Sequence, residues 1–232
     1  MCGRYTQTKS GMAIAKTFGL ASAPDIPARY NIAPTQPVSA VVQSADERSH
    51  RTFQWGLVPS WSKDPSISSR MINARAETVA EKPSFRAPFK RRRCLVVADG
   101  FYEWQRTESN RKKQPFYIQM EDQAPFGFAG LWEKWTDGDG SALETCTILT
   151  TEPNELMAPI HNRMPVIIHP QDYDLWLDPD LQDGRHLQHL LRPYEPEAMQ
   201  RYPVSTTVNS PRNEMPECIA PVELEPNESG ID

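Results

Sequence analysis

Cys2 is the residue of this 232-residue chain best equipped for covalent chemistry. It follows the initiator Met1, and a residue as small as Cys permits removal of that methionine, which leaves an α-amine and a thiol on adjacent carbons. An α-amine titrates near about 8 and a free thiol near about 8.5, so both nucleophiles are partly available at neutral pH. Together they can do what neither does alone. The amine condenses with an aldehyde to an imine, and the thiolate closes on the same carbon to give a five-membered thiazolidine, an intramolecular step of high effective molarity. Gly3 lets the backbone approach a ligand without a Cβ clash, and Arg4 supplies a cation beside it.

Other polar residues stand in short runs further along. These are Asn73-Ala74-Arg75-Ala76-Glu77, Asp99-Gly100-Phe101-Tyr102-Glu103-Trp104 and His161-Asn162-Arg163-Met164-Pro165. Histidine titrates near about 6.5 and serves as acid or base, while a carboxylate beside a terminal ammonium can hold and then accept its proton. The four cysteines, Cys2, Cys94, Cys146 and Cys218, form no CxxC pair, so reduced thiols are expected rather than a zinc site or a disulfide framework. Cys94 and Cys146 lie in apolar runs and read as small buried hydrophobes. Trp55, Trp132, Trp135 and Trp176 are assigned to packing, and no metal ligand set or cofactor motif is present.

The elements that must position these residues are mostly strands. With 22 Pro and 11 Gly the chain favours short strands and turns over a helix bundle. Met12, Ala15 and Phe18 fall at helical spacing between Lys9 and Leu20, with Gly19 to close the helix. Strands are predicted at Val38–Gln43, Thr52–Leu57, Arg93–Ala98, Phe116–Met120, Phe126–Trp132, Thr145–Thr151, Pro165–Ile168 and Tyr202–Ser205. Short helices are predicted at Pro153–Pro159, Gln171–Leu177 and Arg185–Leu191. That order does not alternate as a doubly wound sheet would. An α+β fold follows, with mostly antiparallel sheets closing into a barrel-like core and peripheral short helices. Residues 1–222 read as a single domain, and the acidic tail 223–232 is expected to be disordered.

The formal net charge is −5, yet Arg212 is followed by six acids and no base, so residues 1–212 hold 25 basic against 24 acidic residues. Basic residues cluster from Lys82 to Arg93 and again at Arg106, Arg111, Lys112 and Lys113. The sequence contains neither a long apolar run nor a secretory leader, which predicts an intracellular, cytoplasmic protein with no membrane partner. A monomer is the default expectation.

The runs quoted above, in this order and headed by Cys2-Gly3-Arg4, resemble the SRAP family of SOS response associated peptidases, or abasic-site processing proteins, from Cys2 to about Asn209. The resemblance implies an SRAP-like fold and a protein that binds single-stranded DNA and forms a thiazolidine crosslink between Cys2 and the ring-opened deoxyribose of an abasic site. It implies that Asn73 positions the terminus or the lesion sugar, that Glu103 shuttles the proton of the α-amine, and that His161 protonates the sugar oxygen. It also implies phosphate contacts at Arg4, Arg75 and Arg163, stacking by Trp61 and Trp104, and a DNA contact at Thr150. Lyase-like strand chemistry and a Cys2-dependent peptidase that removes Met1 are the alternatives it leaves open.

Overall fold

Runs of β-branched and aromatic residues pair along the chain into two sheets, seen in a computed structural model that describes residues 2–44, 47–105 and 113–224. Thirteen strands are formed among the described residues. The first five are β1 (Tyr5–Gln7), β2 (Arg29–Ile32), β3 (Pro37–Ser44), β4 (Glu47–Trp55) and β5 (Asn73–Arg75). Next come β6 (Arg93–Ala98), β7 (Gly100–Gln105), β8 (Gln114–Met120), β9 (Phe126–Thr136) and β10 (Ala142–Thr151). β11 (Met164–Pro165), β12 (Ile167–Ile168) and β13 (Met199–Pro203) complete the set. The α-helices are α1 (Gly11–Phe18), α2 (Arg86–Arg91) and α3 (Tyr173–Leu177).

Five of these strands close on themselves. β10 pairs with β4, β4 with β3, β3 with β6, β6 with β9, and β9 returns to β10, so the ring has no open edge. All of these pairings are antiparallel except that of β10 with β4. A second sheet runs β13-β8-β7-β1-β2. Alternation along the strands sorts their side chains to two faces. Val38, Ala40, Phe53, Trp55, Val96, Phe128 and Ile148 join Tyr5, Phe101 and Ile118 of the second sheet in one core. Val41, Leu95, Val97, Leu131 and Leu149 face the other way and are covered by Phe18 of α1, Phe89 of α2 and Trp176 of α3. The expected fold class is the one observed.

Local chemistry explains the boundaries. Ser10 caps α1 by accepting from the Ala13 N–H at 3.3 Å, and Gly19 ends it in the left-handed region at φ 66°. β4 stops where Gly56 adopts φ 130°, and a Cβ there would lie 2.6 Å from the Ser68 carbonyl oxygen. Three expected helices are changed. Residues 155–160 form turns rather than a helix. Asn154 accepts from the Met157 N–H at 2.9 Å, but Pro159 lacks an N–H with which to extend a helix. Gln171–Leu177 divides into a 3-10 turn, Pro170–Asp172, and α3, and Gly184–Leu190 is 3-10 throughout. Of the first basic cluster, Arg93 is buried and donates to the carbonyls of Trp176, Phe89 and Lys90, while Arg92 pairs with Glu133 at 2.7 Å. These two arginines tie the barrel to α2 and α3. In the second cluster Arg106, Arg111 and Lys112 lie outside the described residues, as does the tail from residue 225. Among the described residues no helix is long and apolar enough to cross a membrane.

Candidate active site

The site begins where β1 meets β7. Tyr5 faces Phe101 and Thr6 faces Gly100, and the Tyr102 N–H donates to the Arg4 carbonyl at 3.0 Å. Continuing that antiparallel register by two residues sets Gly3 opposite Glu103, so Cys2 arrives beside this carboxyl group. Phe101 and Glu103 share a strand face, the one turned toward the larger core. A carboxylate holds β1 in place from behind. Asp99, buried, accepts from the Thr6 hydroxyl at 2.5 Å, the Thr8 hydroxyl at 2.9 Å, the Lys9 N–H at 2.9 Å and the Thr8 N–H.

Cys2 is wholly buried within that core. Burial pushes its thiol well above the ordinary range and the Glu103 charge pushes it further, against the opposing effects of the terminal ammonium and the Arg4 backbone N–H. In the dry core the neutral thiol is favoured, so attack by this thiol would need a base to take its proton. Glu103 is suited to that. It is 3% exposed, and burial raises its carboxyl above the usual carboxylate range, with the positive charge of the chain terminus pulling the other way. A carboxyl held nearer neutrality gives and takes protons readily.

His161 is delivered by the turns that follow β10. Its backbone N–H donates to the Met157 carbonyl at 3.0 Å, and its ring Nδ1 accepts from the Arg163 N–H at 3.0 Å. Accepting at Nδ1 leaves the proton of the neutral ring on Nε2. A cleft of about 560 Å3 opens here, with Glu103, Trp104 and Lys113 on one wall and Pro159, Ile160 and His161 on the other. Gln105 ties the walls by donating to the Pro159 carbonyl at 3.0 Å. The volume suits a small ligand. Lys113 is a cleft residue that the sequence showed only as one of a basic cluster. The β7–β8 pairing of Gln105 with Gln114 brings it there.

Asn73 sits on β5, which runs parallel to β10 with Asn73 opposite Ile148. Both polar atoms of its amide are shielded from solvent and lack a hydrogen-bond partner. Such an amide costs about 1–3 kcal/mol where nothing meets it. Ile72, just before it, packs on the same core as Cys2. The arrangement brings Glu103 and His161 to one cleft, with Cys2 beneath its surface. Asn73 stands outside the cleft lining.

The six expected DNA contacts divide into two groups. Trp61 is 62% exposed, Arg75 is exposed, and Trp104 lines the cleft while its indole N–H donates to Asn209 Oδ1 at 2.7 Å. Arg4, Thr150 and Arg163 are engaged within the protein. Arg4 donates to Asn31 Oδ1 and to the Val208 carbonyl, both at 2.7 Å, and stacks 5.7 Å from the Trp104 ring. Thr150 is fully buried, and its carbonyl accepts from Arg163 at 2.5 Å.

Comparison with known proteins adds a lineage. Residues 1–211 match the SOS response associated peptidase (SRAP) family. The abasic site processing protein YoqW of Bacillus subtilis is 44% identical over 222 residues, 94% of this chain and 99% of that protein. The abasic site processing protein HMCES of Gallus gallus is 39% identical over 210 residues, 79% of this chain and 61% of that longer protein. A solved structure of a Bacteroides thetaiotaomicron protein superposes with a TM-score of 0.86 at 29% identity, covering 96% of this chain and 100% of the other.

Proposed function

Because this chain belongs to the SOS response associated peptidase family, we propose that it processes abasic sites in single-stranded DNA by capturing the lesion's aldehyde on Cys2. Loss of Met1 creates the aminothiol. As the sugar's C1–O bond breaks, His161 Nε2 gives a proton to the ring oxygen while the anomeric hydroxyl gives up its own, which returns to the imidazole, so opening to the aldehyde is proton-neutral. The amine adds to that carbon and water leaves, giving an imine. The Cys2 thiol then adds across the carbon–nitrogen double bond, its proton passing through Glu103 to the nitrogen. The net change is aldehyde plus aminothiol to thiazolidine plus one water. Holding both nucleophiles on one residue makes the second step intramolecular.

The observation that carries this reading is a thiol and a buried carboxyl set side by side at the β1–β7 junction, next to a cleft with a histidine acid on its far wall. An abasic site has no base to unstack, so drawing its sugar into such a cleft costs little. Trp61 and Arg75 at the surface are suited to stacking and to phosphate contact. The relatives' names support the same substrate.

The test is an oligonucleotide bearing one abasic site, mixed with protein and run on a denaturing gel beside Cys2→Ala. The wild type, shown by intact mass to lack Met1, is expected to retard the strand after boiling in detergent, and Cys2→Ala is not. A protein that has lost Met1 yet leaves the damaged strand free overturns the proposal and favours the peptidase alternative.

A further inference from the structure

The side chain of Arg163 forks onto Glu77, its two terminal nitrogens 2.5 and 3.0 Å from the two carboxylate oxygens. One of those nitrogens also donates to the Thr150 carbonyl at 2.5 Å and lies 3.4 Å from its hydroxyl. Both terminal nitrogens of the guanidinium are thus occupied by the protein, while its Nε is buried without a partner and the side chain is only 16% exposed. The backbone N–H of the same residue donates to His161 Nδ1. Glu77 belongs to the turn that follows β5, the strand of Asn73. One ion pair therefore joins the segment carrying Asn73 to the segment carrying His161.

We propose that Glu77 and Arg163 are positioning residues: their forked pair fixes the His161 loop against β5 and β10, so that the Arg163 N–H holds the imidazole with its proton on Nε2. This deepens the abasic-site reading and rests on it for its catalytic consequence. It gives Arg163 a role other than phosphate contact. The fork geometry matters because a lysine at this position could not meet both carboxylate oxygens and the Thr150 carbonyl at once. A loose loop would turn the ring or free Nδ1 to take the proton, and misplacing an acid by about 1 Å can cost roughly a hundredfold in rate.

The experiment uses Glu77→Ala, Glu77→Gln and Arg163→Lys in the whole chain. Three readouts are followed: the rate of adduct formation at saturating abasic strand, the affinity for the same strand undamaged, and the 15N signals of the His161 ring. Glu77→Ala and Arg163→Lys are expected to slow adduct formation roughly ten- to hundredfold with affinity for the undamaged strand within about twofold of wild type, and to lose the single Nε2–H signature. Glu77→Gln, which keeps one acceptor oxygen and guards against a folding defect in the alanine variant, is expected to fall between. Unchanged ring signals and adduct rates in both Glu77 variants overturn the proposal. So does a change confined to affinity for undamaged DNA, the mark of a phosphate contact. If the wild type forms no adduct the abasic-site reading fails, while the ring signals alone still decide whether the pair holds His161.

Discussion

Asp99→Ala tests how β1 is held, and with it how Cys2 reaches Glu103. The carboxylate accepts four hydrogen bonds, from two backbone N–H groups and two hydroxyls, all within residues Thr6 to Lys9. A hydrogen bond to a charged group contributes roughly 1.5–3 kcal/mol, but the four will not add. Thr8 and Lys9 are half-buried, so water can replace much of what they lose. Thr6 is fully buried, yet its hydroxyl keeps the Gly100 carbonyl at 3.2 Å and the Tyr117 hydroxyl at 2.8 Å. The unreplaced loss is then one or two charged bonds, about 2–4 kcal/mol, which in a chain of this size lowers the melting temperature by roughly 5–15 °C. Calorimetry reads the melting temperature, and hydrogen exchange at the amides of Thr6 to Lys9 reads the local effect. A variant that melts within about 2 °C of wild type with protection of β1 intact would refute the argument that this carboxylate anchors the strand.

Three more outcomes follow from the site. Glu103→Gln should be more stable than wild type at neutral pH although it forms adduct slowly: burial raises the folded-state value of this carboxyl, so its stabilising contribution is present at low pH and lost as pH rises through that value. Thermal melts from about pH 4 to 8 should show the advantage of Gln growing with pH, and a Gln variant less stable at neutral pH would contradict the assigned direction. All four cysteines are buried and free, so a thiol reagent should label the native protein far more slowly than the unfolded chain, where four react; rapid native labelling of Cys2 would show an ionised, open thiol. Trp61→Ala removes an exposed indole and should leave the melt unchanged while weakening single-strand binding by about 1–3 kcal/mol, roughly five- to 150-fold, measured by fluorescence anisotropy; unchanged affinity would exclude stacking there.

Residue types and local punctuation determined a good part of this protein. The aminothiol chemistry open to Cys2 is a property of one residue and its neighbour, and α1 is legible from its helical spacing and the closing Gly19, although its buried face is Ile14 and Phe18 while Met12 is exposed. β3, β6, β9 and β10 are long enough for β-branched or aromatic residues to reveal them. The strands that carry the site are not of that kind. β1 and β5 have three residues each, and β7 mixes Glu103 and Trp104 into an apolar run, so no periodicity marks them. β1 and β5 are strands because partners distant in the chain supply their hydrogen bonds, and β7 bridges its neighbour β8 to the distant β1.

Tertiary structure alone decided how the chemical groups behave. A thiol on a free terminus would ionise in part, whereas burial beside Glu103 pushes the Cys2 thiol well above its ordinary range. Arg163 and Thr150 have the composition of surface contacts, and the fold turns them inward onto Glu77 and onto each other. The parallel pairing of β10 with β4 closes the barrel, and nothing in either strand by itself specifies its neighbour. The sequence names which protons and nucleophiles exist. Burial and distance, which depend on segments far apart in the chain, set when each can act.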